Sequence, residues 1–500
     1  MITWGISANS HDAALAVFEH KNKGLSHNRS LKLKFASHAE RFSGIKNDAH
    51  LNFKLIDYAK QYGEPDEVVW YERPIRKSFR QIRAGQGFNF RENNIKRYLK
   101  GYGIDAPIRY TGHHHSHAAA GYFTSPFNDA TVVCIDSIGE FETLTVWEGN
   151  GTKLKQVYSQ GYPNSVGLWY SAMTQRIGLK PNEDEYILMG MAAYGDPKRL
   201  GHDVYDMFEY IEGTDIRYKE NLHRGCLRWK PELTTEQDMF DIAAAVQKTY
   251  EFTLEQILDW AKENTKSKNL VLMGGCALNC SANHLAYKYF NDVWIMPNPG
   301  DAGSAIGAVL ARKKEHIPMD DAYLGYNIEG DYPVEEALSE LKATGIVGVA
   351  NGRAEFGPRA FGNRSLLADP RGRDIKSRVN DIKKRQQFRP FAPVVLAEHA
   401  GKNFKGHYNN YMQFTSKCKH PFLYPAITHV DGTSRVQTVE ADGSGIRRLL
   451  ERWYEETGCP MLLNTSLNIK GKPMVNDLTD AQEFAIMYTT KVCTKATDDN

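Results

Sequence analysis

Short apolar runs separated by amphipathic stretches dominate the chain. Thr3–Ser7, Ala14–Glu19 and Leu31–Ala36 open it as strand, turn, strand, turn, strand. Glu67–Tyr71, Thr131–Asp136, Leu144–Glu148, Leu270–Met273 and Val293–Met296 continue the series, and helical patterns lie around 114–123, 238–263 and 303–313. Strands of this length alternating with helices predict an α/β fold. At 500 residues the chain exceeds one ordinary core, and roughly two to three domains are expected. Pro318, within His316–Asp320, ends the last of these helices, and the pattern restarts beyond it. Residues 333–343 then read as a helix, 346–350 as a strand, 444–454 as a helix and 461–463 as a short buried strand. The expected division is 1–320 and 326–500.

Composition removes several classes of function. No apolar run in the sequence approaches the roughly 18 residues of a membrane span. Met1–Ile6 lacks the basic start and long apolar stretch of a signal peptide, so a cytoplasmic protein with no membrane partner is expected. Seven cysteines in a chain this long do not make a disulfide framework. Cys276 and Cys280, without a second pair to complete a zinc site, read as small buried residues. The formal net charge is +2, so no global attraction to polyanions follows. Its distribution is uneven. Arg73–Lys100 holds nine Lys/Arg against one acid, Glu92, which is +8 locally and leaves 2 − 8 = −6 for the remainder. Phe79, Phe88, Phe90 and Tyr98 interleave with those cations. Such a stretch suits phosphate backbones and stacked bases, or forms a solvated loop and helix face.

The densest chemical signal is His113-His114-His115-Ser116-His117. On a helix, residues i and i+4 share a face, so His113 and His117 could offer two nitrogens to one ion. Imidazole suits borderline metals such as zinc and iron(II). Two histidines need further ligands. Asp136 ends the apolar run Val132–Ile135, and Asp301 follows Asn298-Pro299-Gly300 at a helix start. Carboxylates at such places serve chemistry in α/β folds, or cap the helix. Gly274-Gly275-Cys276-Ala277-Leu278-Asn279 follows a strand and opens a helix. Its backbone N–H groups could approach a phosphate or ribose, or the glycines could serve close strand–helix packing. Met189–Gly195 is of the same kind.

A second constellation lies near the C-terminus. Gly352-Arg353-Ala354-Glu355 leads into Arg359 and Arg364-Ser365; Arg389 lies in Phe388–Pro393; Asn464-Thr465-Ser466-Leu467-Asn468 follows a buried strand. Arginines among glycines and prolines sit on turns, and planar guanidinium groups bind phosphate and carboxylate oxygens bidentately. Such a set fits a nucleotide or two phosphorylated substrates, or a structural ion-pair network.

Together these blocks, in this order, resemble the NodU/CmcH family of O-carbamoyltransferases, which act in antibiotic and nodulation-factor synthesis. The matching residues include Gly5–Ser7, His11–Ala13, Glu40–Phe42, His113–His117, Asp136…Gly139-Glu140, Met189–Gly195, Gly274–Asn279, Pro299–Gly307, Gly352–Ser365, Arg389–Pro393 and Asn464–Asn468. The histidine block alone would be shared with threonylcarbamoyl transferases of tRNA modification.

The resemblance implies an N-terminal duplicated α/β domain of the actin/Hsp70/sugar-kinase type and a C-terminal YrdC-like domain. It implies that the C-terminal domain makes carbamoyl-adenylate from Mg-ATP and carbamoyl phosphate. The N-terminal domain would pass the carbamoyl group to an acceptor hydroxyl on a small molecule, a nucleotide or a hydroxymethylated DNA base. His113, His117, Asp136 and Asp301 match the ligands of a divalent metal, iron(II) in the family pattern. His11, Asp12 or His114 would take the acceptor's proton. Gly139, Gly274, Gly275 and Asn279 would approach the nucleotide. Arg353, Glu355, Arg359, Arg364, Ser365, Arg389, Asn464, Thr465, Ser466 and Asn468 would hold ATP and carbamoyl phosphate. A homodimer is compatible with the pattern. Two positions depart from it: Ile187-Leu188 replaces a stretch with lysine, and Lys472 stands where glutamate is usual. Alternative readings are a tRNA threonylcarbamoyl-type transferase and a non-catalytic nucleotide-binding module.

Overall fold

The computed structural model describes residues 1–22, 29–87, 90 and 92–495. Phe88 and Arg91 of the basic stretch therefore lie outside the described residues. The chain forms two compact units: Met1–Ala39 with Asp48–Asp320, and Glu40–Asn47 with Asp321–Asn500. The short Glu40–Asn47 segment thus belongs with the C-terminal unit although it lies early in the sequence.

The first unit contains two five-stranded sheets. One is built from β1 (Ile2–Ser7), β2 (Ala14–Asn22), β3 (Arg29–His38), β4 (Glu67–Trp70) and β5 (Ile108–Tyr110), in the order β3-β2-β1-β4-β5. β1, β2 and β3 form an antiparallel meander, and β4 and β5 join parallel to β1. The other sheet uses β6 (Asp129–Gly139), β7 (Glu142–Asn150), β8 (Lys153–Gly161), β9 (Asn269–Met273) and β10 (Asp292–Trp294), in the order β8-β7-β6-β9-β10. It repeats the same meander and the same parallel pair. This repeated strand order is the duplicated α/β architecture of the actin/Hsp70/sugar-kinase type.

Four helices of this unit matter here: α1 (Pro74–Arg83), α2 (His113–Thr124), α3 (Glu236–Asn264) and α4 (Ser304–Lys313). α2 is buried along its length except at His115, as a helix rich in Ala and Gly must be when it is covered on every side. It packs on β6 and β9, while α4 packs on β1 and α2. The two helices approach until Gly307 is almost in contact with the backbone of α2. A Cβ at 307 would stand 1.8 Å from the Ser116 carbonyl oxygen. Parallel strands β1, β4, β6 and β9 end beside these helices. Their carboxyl ends carry Asn9–Asp12, Glu72, Asp136 and Gly274-Gly275, the edge where α/β sheets hold ligands.

The second unit is also α/β. Its six-stranded sheet runs β14 (Gln437–Val439), β13 (Ala392–Leu396), β15 (Met461–Ser466), β12 (Arg364–Ala368), β11 (Ile346–Ala350) and β16 (Val492–Cys493). Its centre is antiparallel and both edges are parallel. Helices α5 (Val334–Thr344) and α6 (Gly445–Thr457) pack together over it, with Leu338, Leu341, Leu449, Leu450 and Trp453 in the core. Each fully buried large side chain of this kind contributes about 1.5–3 kcal/mol. All seven cysteines are free, and among the described residues Cys276 and Cys280 do not combine with other ligand residues. Among the described residues no helix is long and apolar enough to cross a membrane.

Candidate functional site

In the first unit His113 and His117 stand one turn apart on α2. Their Nε2 atoms lie 3.2 Å from each other. Asp136, at the end of the apolar part of β6, presents Oδ2 at 3.4 Å from His113 and 3.8 Å from His117. Asp301, in the turn before α4, presents Oδ1 at 3.3 Å from both. One atom from each of the four residues lies within 4.8 Å of all the others. These spacings exceed good hydrogen bonds, and two ring nitrogens facing each other cannot both carry a proton. They match the edges of a tetrahedron around one ion. Ligands at about 2.0–2.1 Å from a first-row metal are roughly 3.3 Å apart. The donor set therefore fits a divalent ion of the zinc or iron(II) class.

Without a cation the cluster is electrostatically tense. Burial opposes charge on His113, but Asp301 and Asp136 outweigh it and raise the imidazole well above its ordinary value. Burial and the neighbouring Asp301 push the Asp136 carboxyl up, yet the two histidines bring it down to about 2. Burial likewise opposes charge on Asp301, and His113 and His117 hold it well below its ordinary range.

The surroundings fix these groups. Asp136 Oδ1 accepts the Gly275 N–H at 3.0 Å. Gly275, expected at a nucleotide, thus holds a carboxylate of the cluster. Gly139, also expected at the nucleotide, stands against His113; a Cβ there would fall 1.9 Å from the ring. Asn279 is committed elsewhere. It forms a reciprocal amide pair with Gln247 at 2.9 and 3.1 Å and accepts the Ala282 N–H. These bonds tie its amide to α3 and to its own turn. Gly274 adopts φ +89°, and a Cβ there would meet the Ile135 carbonyl oxygen at 2.1 Å, so close strand packing accounts for it.

His11 and Asp12 sit in the β1–β2 turn, with Nδ1 3.2 Å from Oδ2. Burial disfavours the imidazolium, but Asp12, then Asp301 and Glu185, raise His11 to about 9. His11 is 40% exposed at its side chain and Asp12 26%, so the pair is reachable. His114 is not. It is fully buried, Nδ1 contacts the Thr145 hydroxyl at 3.0 Å, and burial followed by the His113 and His117 charges lowers it to about 3. That corrects the expectation of a proton-accepting role: the ring has no exposed surface through which an acceptor could meet it.

Sequence reasoning passed over Glu72 and Lys77. Lys77 Nζ donates to Glu72 Oε1 and to the Asn9 carbonyl, both at 2.6 Å. Glu72 Oε2 faces His113 Nδ1 at 3.9 Å. This buried pair ties the His11–Asp12 turn to the far side of the His113 ring. Its signal was present: Glu72 follows the apolar run Val68–Tyr71 as Asp136 follows Val132–Ile135.

In the second unit the expected anion-binding residues divide. Arg364 is fully buried, and its guanidinium donates to the carbonyls of Asn476, Asn351, Gly352, Asn363 and Tyr326. Its donors are spent on backbone, so it stitches the fold and does not face a phosphate. Glu355 Oε1 accepts the N–H groups of Phe361, Asn363 and Arg364, which shapes the loop between β11 and β12. Arg353 donates to the Leu324 carbonyl, and Asn464 to Ala360 and Gln437. Ser365 is buried on β12 opposite Ser466 of β15, Thr465 pairs with Leu366, and Arg359 is half-buried.

Ser466 and Asn468 meet a residue the sequence did not flag. Lys383 Nζ, 5% exposed as a residue, donates to the Ser466 carbonyl, the Asn468 carbonyl at 2.8 Å and Asn468 Oδ1 at 2.9 Å. Burial holds its amine well below the ordinary lysine range, and the Arg385 and Arg389 charges add to this. Lys383, with hydroxyl and amide partners and no carboxylate among its hydrogen-bond partners, and the nearby charges of Arg385 and Arg389 form a place suited to an anion.

A family model described as the carbamoyltransferase N-terminus matches residues 3–310, and one described as the carbamoyltransferase C-terminus matches 338–494. The chain belongs to the carbamoyltransferase family. This carbamoyltransferase is 32% identical to an uncharacterized protein of Synechocystis over 95% of the chain and 93% of that protein. It is 31% identical to the nodulation protein NolNO of Sinorhizobium fredii, over 88% of the chain and 73% of that protein. A 3'-hydroxymethylcephem-O-carbamoyltransferase of Amycolatopsis lactamdurans is 28% identical over 90% of the chain and 91% of its own length.

Proposed function

We propose that this carbamoyltransferase forms carbamoyl-adenylate from ATP and carbamoyl phosphate in its C-terminal unit and transfers the carbamoyl group to an acceptor hydroxyl in its N-terminal unit. The convergence of His113, His117, Asp136 and Asp301 within 4.8 Å carries the reading. Family membership over both halves supports it.

Lys383, Arg385 and Arg389 would neutralise phosphate charge in the first step. For balance, carbamoyl phosphate first loses its phosphate to water, and an oxygen of the resulting carbamate attacks the α-phosphorus of ATP. The P–O bond to pyrophosphate breaks, and carbamoyl-adenylate remains. AMP is then the leaving group when the acceptor oxygen attacks the carbamoyl carbon. In the N-terminal unit His113, His117, Asp136 and Asp301 would hold a divalent ion, iron(II) by the family pattern, which supplies Lewis acidity at a carbonyl or phosphoryl oxygen. His11, oriented by Asp12, would receive the acceptor's proton at its free ring nitrogen.

Pyrophosphate release from ATP tests the first step. It should require carbamoyl phosphate; release that ignores carbamoyl phosphate sinks the proposal. His117→Ala should stop transfer to an acceptor while pyrophosphate release continues, and loss of both would contradict the division of labour.

A further inference from the structure

The basic stretch folds in two directions. Lys77 and Arg80 turn inward, at 5% and 8% exposure. Lys77 finds Glu72, but no carboxylate pairs with Arg80 among the described residues. Arg80 Nη1 donates to Gln86 Oε1 at 3.1 Å, and its buried Nε has no hydrogen-bond partner. A guanidinium withdrawn from water without an anion is unfavourable until one meets it. The 222–224 turn brings more positive charge. Gln86 Nε2 contacts His223 Nε2 at 3.1 Å. Burial, then the charges of Arg80 and Arg224, depress the His223 ring. Arg224 Nη2 reaches within 3.2 Å of the space beside Gly85. Arg83 is exposed on the last turn of α1.

Two aromatic rings flank this charge. Phe79 and Phe90 are 56% and 47% exposed, with ring centroids 6.1 Å apart at 88°. Paired phenyl rings left in water beside unmatched cations describe a ligand with flat apolar faces and regular negative charge. The surface is also continuous with the transfer site. Arg73 N and Arg76 Nη1 bind the two oxygens of Glu140 at 2.7 and 3.3 Å, next to the Gly139–His113 contact. Lys77 touches Glu72 behind His113. From Lys77 to Arg83 the helix advances about 9 Å, within the span of neighbouring nucleotide units.

We propose that Phe79, Arg80, Arg83, Phe90, His223 and Arg224 form a binding surface for a nucleic-acid strand, with phosphates on the cations and a base against the rings. The acceptor hydroxyl then belongs to a nucleotide unit of that strand, an assignment that rests on carbamoyl transfer being the reaction of the neighbouring site.

The test is fluorescence anisotropy of the full-length protein with a labelled single-stranded oligonucleotide. Binding should weaken steeply as salt rises. Arg83→Glu with Arg224→Glu should weaken it at least tenfold. Phe79→Ala with Phe90→Ala should weaken it about fivefold or more. Lys262→Glu, an exposed charge reversal on α3, should leave it unchanged. Absent or salt-independent binding overturns the inference. So does an acidic peptide that competes equally well, or a mononucleotide that binds as tightly as the strand. Pyrophosphate release by the unaltered protein is scored separately. If it depends on carbamoyl phosphate while no strand binds, this surface falls and the carbamoyl reading stands. If a strand binds but release ignores carbamoyl phosphate, the surface stands and the assigned acceptor chemistry falls.

Discussion

At the scale of single residues, the buried pair Glu72–Lys77 and the half-buried pair His11–Asp12 make different predictions. Glu72 stands 3.9 Å from the outer nitrogen of His113, where a carboxylate that closes to hydrogen-bond distance on metal binding would orient the ring. Replacing such a partner typically weakens metal affinity about 10–100-fold. Glu72→Gln should do so in titration of metal-free protein with a divalent ion, together with a lower thermal stability because Lys77 stays buried without its carboxylate; unchanged affinity would remove Glu72 from this role. The raised His11 makes a pH prediction. Folded His11 keeps its proton up to about 9, against an ordinary value of 6.5. Its contribution to stability is therefore complete below 6.5 and lost as pH rises through 9. If His11 accepts the proton of the hydroxyl, transfer speeds up with pH towards about 9. Asp12→Asn should move that inflection downward, since burial alone lowers the ring. An inflection that stays in place means another group takes the proton.

Helices and turns set where those residues stand. α2 carries His113 and His117, and the turn into α4 carries Asp301, so their separation fixes the cluster. Gly307 permits their approach. Gly307→Ala would place a methyl 1.8 Å from the Ser116 carbonyl oxygen and force the helices apart. A loss of about 1–3 kcal/mol follows from overpacking, read as a lower urea midpoint with an unchanged slope. Metal binding should weaken with it. α3 offers a milder contrast. Its capping box joins Thr235 and Asp238, so Thr235→Ala should cost about 1 kcal/mol and leave the cluster intact.

Across the whole molecule, two units carry separable chemistry in the proposed reaction, so variants should sort by unit. Lys383→Met removes the one buried ammonium beside Ser466 and Asn468. It should lower carbamoyl-phosphate-dependent pyrophosphate release by about 10²–10³-fold without affecting metal binding by the N-terminal unit. The Glu40–Asn47 segment belongs to the C-terminal unit, where Arg41 Nη2 donates to the Gly357 carbonyl at 2.9 Å. Arg41→Ala strands that carbonyl and should destabilise the C-terminal unit by about 1–3 kcal/mol. Hydrogen exchange in β11 and β12 would report it.

Local pattern alone determined much of this protein. Apolar period and breakers located the strands and principal helices, because burial on a sheet face is written residue by residue. The i, i+4 histidines pointed to one helical face for the same reason. Tertiary structure decided the rest. That two sheets repeat one strand order, and that Asp136 and Asp301 meet His113 and His117, depends on contacts far apart in the chain. Arg364 and Arg389 look alike among glycines and prolines, yet Arg364 is spent on backbone carbonyls while Arg389 adds its charge to Lys383. Lys77 and Arg80 look like members of a solvated run, but the fold buries both and, among the described residues, gives Arg80 no carboxylate ion pair. A side chain's type is local, whereas its partners, and hence its chemistry, are set by the path of the whole chain.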